Sequence, residues 1–279
     1  MIKTISLATL LLTSTIALNA NNIDKSIIDY EKNKFSNNSR VEIKNIEINT
    51  KVKVPVENWY GYIIDISAIV QNKNIKGKDI IFSNGTVVSP DLIDLKTGKS
   101  LRALLQPKLT DIYYNKKHLI AGNENAKDKI VIFSDPLCPF CIDYVPEVIK
   151  HVNKNRESIA LYYYHFPLLK LHPAANTLTK LMEIGKEKGI ENIELKVYGT
   201  DWEEYFKSDS NDEKLILKTF NKLFKLEITL EELNSEKVTK VLEDDISMGD
   251  DLLVKGTPTI FINGEKDNTR LKYESLGNN

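Results

Sequence analysis

Cys138-Pro139-Phe140-Cys141 holds both cysteines of a 279-residue chain. Thiols three positions apart on one helical turn can pass between dithiol and disulfide. The residues before them, Lys129-Ile-Val-Ile-Phe133, read as a buried strand, followed by Ser134-Asp-Pro-Leu137. Those after them repeat apolar residues at helical spacing through Tyr144, Val145, Val148, Ile149 and Val152, to about Asn155. The pair therefore stands where a strand hands over to a helix. Cys138 falls at the N-cap and Pro139 at the first helical position, where its missing N–H is harmless. Unpaired amides and the helix dipole favour a thiolate there, and thiols so placed titrate at about 3.5–7.5 rather than about 8.5. Cys138 is the expected attacking sulfur. Cys141, one turn inside the helix, resolves the mixed disulfide, and Pro139-Phe140 is the dipeptide between them.

Other uses of the pair are weaker. A structural disulfide over so short a loop would remove little chain entropy. Zinc would need two further ligands from His118, His151, His165 or His172, none at finger spacing, so no metal and no other cofactor is expected. Haem attachment requires histidine after the second cysteine, where Ile142 stands. With 38 basic and 39 acidic residues the net charge is −1, which gives no reason to expect nucleic acid as a partner. Residues 1–20 join Lys3 to an apolar run from Ile5 to Ile16 and small residues at Ala17 and Ala20, the pattern of a signal peptide. The alternative is an uncleaved N-terminal anchor. Either way the folded part is expected in an exported, disulfide-permissive compartment.

The elements that must position the pair follow from periodicity. Residues 21–96 form a small β-rich unit: a leading helix pattern over 23–36, then strands at Val41–Ile48, Tyr60–Val70, Asp79–Phe82 and Thr86–Val88. Such a unit buries limited apolar surface alone. Residues 97–115 read as a helical linker. From 116 to 279 the order is a strand at His118–Ala121, the strand before the cysteines, their helix, and a strand at Ile159–Phe166. A helical insertion over about 173–249 follows, then Thr259–Asn263, an Asn263-Gly264 turn and a return strand at Thr269–Tyr273. The fold class is α+β. Gly256-Thr257-Pro258 opens the last hairpin, and a proline at the start of a strand need not donate to the ladder.

Val131-Ile-Phe-Ser-Asp-Pro-Leu-Cys-Pro-Phe-Cys141, Gly256-Thr-Pro258 and Tyr164-His-Phe-Pro-Leu-Leu-Lys-Leu-His-Pro-Ala175 resemble the Dsb family of periplasmic thiol–disulfide oxidoreductases, closest to the DsbC/DsbG isomerase branch. The resemblance covers residues 116–270. It implies a thioredoxin fold with a helical insertion, in which the Thr257-Pro258 loop faces the cysteines with a cis proline and binds extended substrate. It further implies that 21–96 is a cystatin-like dimerisation domain, that the protein is a periplasmic homodimer, and that an apolar cleft holds unfolded or misoxidised exported proteins.

The direction of electron flow is read from three residues. Pro139-Phe140 places no imidazole beside the thiolate, Ile132 stands where relatives carry a buried acid, and Thr257 precedes the proline as in the isomerases. Isomerase or reductase work is the expectation, recharged by a membrane thiol reductase. The alternatives are a DsbA-like net oxidase recharged by a membrane quinone reductase, and a holdase chaperone using the dimer cleft. Members of the branch usually end in a helix packed on the sheet, and here about six residues follow the last expected strand.

Overall fold

The computed structural model describes residues 23–36, 38–107 and 109–277, so the expected signal peptide lies outside the described residues. The chain divides into two compact units, Met1–Pro107 and Lys108–Asn279.

The first unit is one helix on a four-stranded antiparallel sheet. Helix α1 spans residues 23–35, and the strands β1 (Val41–Lys53), β2 (Tyr60–Val70), β3 (Lys73–Ser83) and β4 (Val88–Ser89) lie in that order. Ile27 of α1 packs on Ile46, Tyr62, Ile64 and Ile81, one side chain in two along each strand, as the pleat requires. Strand β3 begins six residues earlier than the apolar run Asp79–Phe82 suggests. Gln71 and Asn72 both take positive φ, 50° and 63°, which makes a tight turn and pairs Lys73 with Val70 at once. The polar start of β3 is strand by pairing, not by burial. Between the expected domains the chain forms single 3-10 turns at Leu101–Leu104 and Asp111–Tyr113 rather than an α-helix. Ser100 caps the first by accepting the Arg102 amide, and Pro107 stops it from lengthening.

The second unit carries a five-stranded sheet in the order β5-β7-β6-β8-β9, with β5 (Leu119–Gly122), β6 (Asp128–Ser134), β7 (Ile159–His165), β8 (Thr259–Ile262) and β9 (Glu265–Lys266). Only β6 and β7 are parallel, joined by α2 (Pro139–Lys154). Alternation along β6 sets the two faces. Ile130 and Ile132 point to α2 with Val145, Val148, Ile149 and Val152, while Val131 and Phe133 point to Tyr113, Tyr164, Phe166, Leu252 and Phe261. Helices α3 (Ala174–Glu187), α4 (Ile193–Tyr198), α5 (Glu213–Phe224), α6 (Leu230–Leu233) and α7 (Glu236–Asp251) make the insertion, with its own core around Leu178, Trp202, Ile216 and Phe220.

The end of the chain differs from expectation. Asn263 and Gly264 both have positive φ, 51° and 87°, so the return strand starts at once and is only Glu265–Lys266. Asp267 then ends it by accepting the amides of Thr269 and Lys272, which curls 269–273 away from the sheet. The 3-10 turn Lys272–Ser275 lays Tyr273 against Tyr144 and His151 of α2, and His151 Nε2 meets the Leu276 carbonyl at 3.1 Å. That turn lies against the outer face of α2.

Gly122, at the end of β5, has φ +82°, and a Cβ there would fall 1.9 Å from the Ile159 carbonyl oxygen. Gly122→Ala is expected to cost at least about 1–3 kcal/mol, seen as a lowered midpoint in chemical unfolding of the full chain.

Candidate functional site

Strand direction brings the site together. Strand β8 runs antiparallel to β6 with Thr259 opposite Phe133, so Thr257-Pro258 lies beside the chain as it leaves β6 toward Cys138. The Thr257–Pro258 peptide is cis. Cys138 is the N-cap of α2 with Pro139 at the first helical position, and the Thr257 carbonyl oxygen is 3.4 Å from its sulfur. Cys138 and Cys141 are both free thiols, 4% and 0% exposed, whereas Phe140 between them is 68% exposed with Arg270 over its ring at 5.9 Å. Cys138, Cys141, Thr257, Pro258, Pro139 and Phe140 thus share one end of the sheet.

The two sulfurs are opposites electrostatically. The Cys138 thiol is pulled down from 9.0 to about 5, first by the Cys141 thiol donating to it and then, against burial, by the amides of Cys141 and Phe140. These donors are neutral. Cys141 is pushed strongly up, first by burial and then by the Cys138 sulfur, with the Asp135 amide and the Ser134 hydroxyl opposing. At neutral pH Cys138 is a thiolate and Cys141 a thiol. The first attacks and the second waits.

Asp135, fully buried, fixes the loop before Cys138. Its Oδ1 accepts the Leu137 amide at 2.8 Å, its Oδ2 accepts the Leu168 amide at 2.8 Å and lies 2.8 Å from His172 Nδ1, and its carbonyl accepts the Cys138 amide at 3.2 Å. The role of Asp135 is not legible from its residue type, and His172, weighed above only as a zinc ligand, is its partner. His165 is likewise structural, with Nε2 3.0 Å from Glu183 Oε1. Burial would raise Glu183, but the His165 hydrogen bond and charge hold its carboxyl at about 2. His118 Nε2 and the His165 amide both meet Asp245, at 2.7 and 2.9 Å, tying α7 to β7. Among the described residues no cluster of side chains is arranged to hold a metal ion, and no helix is long and apolar enough to cross a membrane.

A pocket of about 420 Å³ adjoins the cysteines, lined by Leu137 and Ile142 next to them and by Tyr198, Trp202 and Phe206 from the insertion. Thr200, Asp201, Glu203 and Ser208 complete its lining, so the pocket mixes apolar and polar side chains.

Because the Cys138 thiol titrates below its unfolded value, its ionisation stabilises the reduced chain fully above the unfolded value near 9. That stabilisation is lost as pH falls through about 5. Alkylation of Cys138 by iodoacetamide, followed by mass spectrometry from pH 3 to 9, is expected to show a midpoint near about 5, with Cys141 unmodified across the range.

Among known proteins, the family model described as Thioredoxin matches residues 114–278. No curated protein sequence matches the chain. Solved structures it is similar to include Pseudomonas aeruginosa DsbA2, at 19% identity and a TM-score of 0.42 over 56% of this chain and 90% of that one. BdbD from Bacillus subtilis, in its oxidised form, is similar at 15% identity and a TM-score of 0.46, over 61% and 92%. A putative protein-disulfide isomerase from Pseudomonas syringae is similar at 12% identity and a TM-score of 0.48, over 56% and 91%. The family match spans more than half of the chain and contains both cysteines and the cis-proline loop: the chain belongs to the thioredoxin family, and its chemistry is thiol–disulfide exchange.

Proposed function

We propose that this protein is a periplasmic disulfide isomerase or reductase that acts on non-native disulfides in exported proteins. The observation that carries the reading is the Cys138 environment, a thiolate stabilised chiefly by neutral donors at a helix N-terminus. Phe140 stands between the cysteines, so no imidazolium adds to those donors. A less acidic thiolate leaves less readily from the mixed disulfide and binds substrate long enough to reshuffle it. Exposed Phe140, beside a pocket that includes Leu137, Ile142, Trp202 and Phe206, supports unfolded polypeptide as the substrate. The motif over 131–141 supports the DsbC/DsbG branch, with a membrane thiol reductase as the electron source.

Trapping and direction can be measured together. Cys141→Ala is expected to accumulate mixed disulfides through Cys138 with a reduced, unfolded client under mild oxidation. The unaltered protein is expected to restore activity to a scrambled client faster than it oxidises a reduced one. The reverse ranking of those two rates would turn the reading to a net oxidase.

The reading includes a homodimer built through the first unit. Strand β1 is an edge strand of 13 residues, and Val87, Ile93 and Leu95 expose apolar surface at 53%, 53% and 97%. An open edge of that length invites pairing with a second chain. Light scattering after size-exclusion chromatography is expected to give twice the mass of the mature chain; the mass of one chain would remove the dimer.

A further inference from the structure

Strand β9 runs back along β8 toward Thr259, so the turn that follows it comes to the cysteines' end of the sheet. Arg270 lies in that turn, and the exchange chemistry makes no use of it. Its φ is 62°, in the left-handed region that glycine or asparagine enters more cheaply than a long side chain. The turn imposes that conformation. Buried Asp267 accepts the Thr269 hydroxyl and amide at 2.6 and 2.9 Å through Oδ1 and the Lys272 amide at 3.0 Å through Oδ2. Thr269 Oγ1 accepts the Leu271 amide at 3.2 Å. The Asp267 amide donates to the Ile260 carbonyl at 2.8 Å, which ties the turn to β8. On its other side Tyr273 packs edge-on against Tyr144, four residues after Phe140 and so on the same face of α2. Arg270 is held between two fixed points. A residue in such a conformation persists only where its surroundings over-determine it, and these positions cluster at ligand clamps.

What the turn holds in place is a cation over the active-site dipeptide. The guanidinium lies 5.9 Å from the centroid of the Phe140 ring, and both side chains are exposed. Among the described residues no carboxylate forms an ion pair with Arg270. Asp267, three residues before it, is spent on the backbone amides of its own turn. A contact with a ring face engages the charge and leaves the planar N–H fork open. That fork fits a carboxylate, to which it donates two bonds at once.

A substrate joined to Cys138 lies next to this fork. Phe140 shares the first turn of α2 with Cys138, and an extended chain advances about 3.3 Å per residue. Side chains within about three residues of the substrate cysteine therefore come within reach of Arg270. We propose that Arg270 and Phe140 form a substrate subsite that favours a disulfide whose cysteine is flanked, at that spacing, by Asp or Glu. The carboxylate pairs with the Arg270 guanidinium, which the Phe140 ring and the Asp267 turn hold in position. The subsite adds no step: it sets which disulfide Cys138 attacks fastest. The proposal rests on the exchange reading above and narrows its substrates.

The test uses the reduced full chain and two peptides with one cysteine each, carrying either Glu or Gln two residues before and two residues after it. Thionitrobenzoate is joined to each cysteine as a disulfide. Attack by Cys138 on the peptide sulfur forms the mixed disulfide, and the electron pair of the broken bond leaves with the coloured thionitrobenzoate. The peptides differ in their own reactivity, so the quantity read is the Glu-to-Gln rate ratio, compared between proteins. In the unaltered protein that ratio is expected to exceed the ratio in Arg270→Gln by about two- to fivefold at low salt. The excess is expected to collapse in about 1 M salt. Arg270→Glu should lower the ratio below that of Arg270→Gln. A merely structural role for Arg270 would slow both peptides alike and leave the ratio unmoved. Equal ratios in the unaltered protein and Arg270→Gln would overturn the subsite, as would a ratio that Arg270→Glu does not lower. Release from neither peptide, by the unaltered protein, would instead fail the exchange reading and the subsite with it.

Discussion

A negative sulfur held by neutral dipoles is the constraint on which the catalytic unit is built. The Cys138 thiolate needs donors close by, and the chain supplies them from the first turn of α2 and from Cys141. That requires a helix beginning at residue 138 and no later, which the Pro139 at its first position secures. It also requires that the approach from β6 be rigid. Asp135 provides this by accepting from Leu137, from Leu168 and at His172, so that strand, helix and the segment after β7 meet at one buried carboxyl group. Removing any of those partners would leave a buried polar group without its bond, a larger loss than the bond's own net worth.

The same geometry orders the reaction. Donation from Cys141 to Cys138 lowers the attacking sulfur, while burial first and that contact second raise the other, so depth and one contact together decide which thiol attacks. Once Cys138 is bound to substrate that charge is gone, and the buried neighbour must ionise in its turn. The active site therefore faces two problems at different depths: stabilising a charge near the surface, and creating one in the core. The first is met by amides.

The part of the site readable from sequence is the part made of neighbours in the chain. Cys138, Pro139, Phe140 and Cys141 are contiguous, and a buried strand before an amphipathic helix places them at a helix start without further information. Thr257-Pro258 is readable because a proline opening a strand withholds a ladder donor, and the β6–β8 register then carries it to the cysteines. Ser134 and Asp135 lie within the 131–141 motif but give no sign of their partners. Tyr198 and His172 lie in or before the helical insertion, far along the chain, where spacing carries no information on contact. The elements that differ from expectation do so for local reasons. The first half of β3 is exposed and so lacks an apolar pattern, and the last return strand is cut short because Asp267 bends the chain by side-chain bonds that mimic a turn.

The insertion is thereby more than a cap on the sheet. Its own core, around Trp202 and Phe220, is distinct from the one beneath the cysteines, and Leu137 from the active-site loop packs into it. From the insertion Tyr198 reaches inward to Ser134 and Tyr163, while Trp202 and Phe206, only a few residues further on, line the pocket beside Leu137 and Ile142. One short stretch of α4 and the turn after it therefore faces both sulfurs' surroundings, the buried side through a hydroxyl and the open side through apolar rings. A sheet and helix can position a thiolate by themselves; what a resolving thiol meets, and what a substrate side chain meets, is set here by the helices placed between β7 and β8.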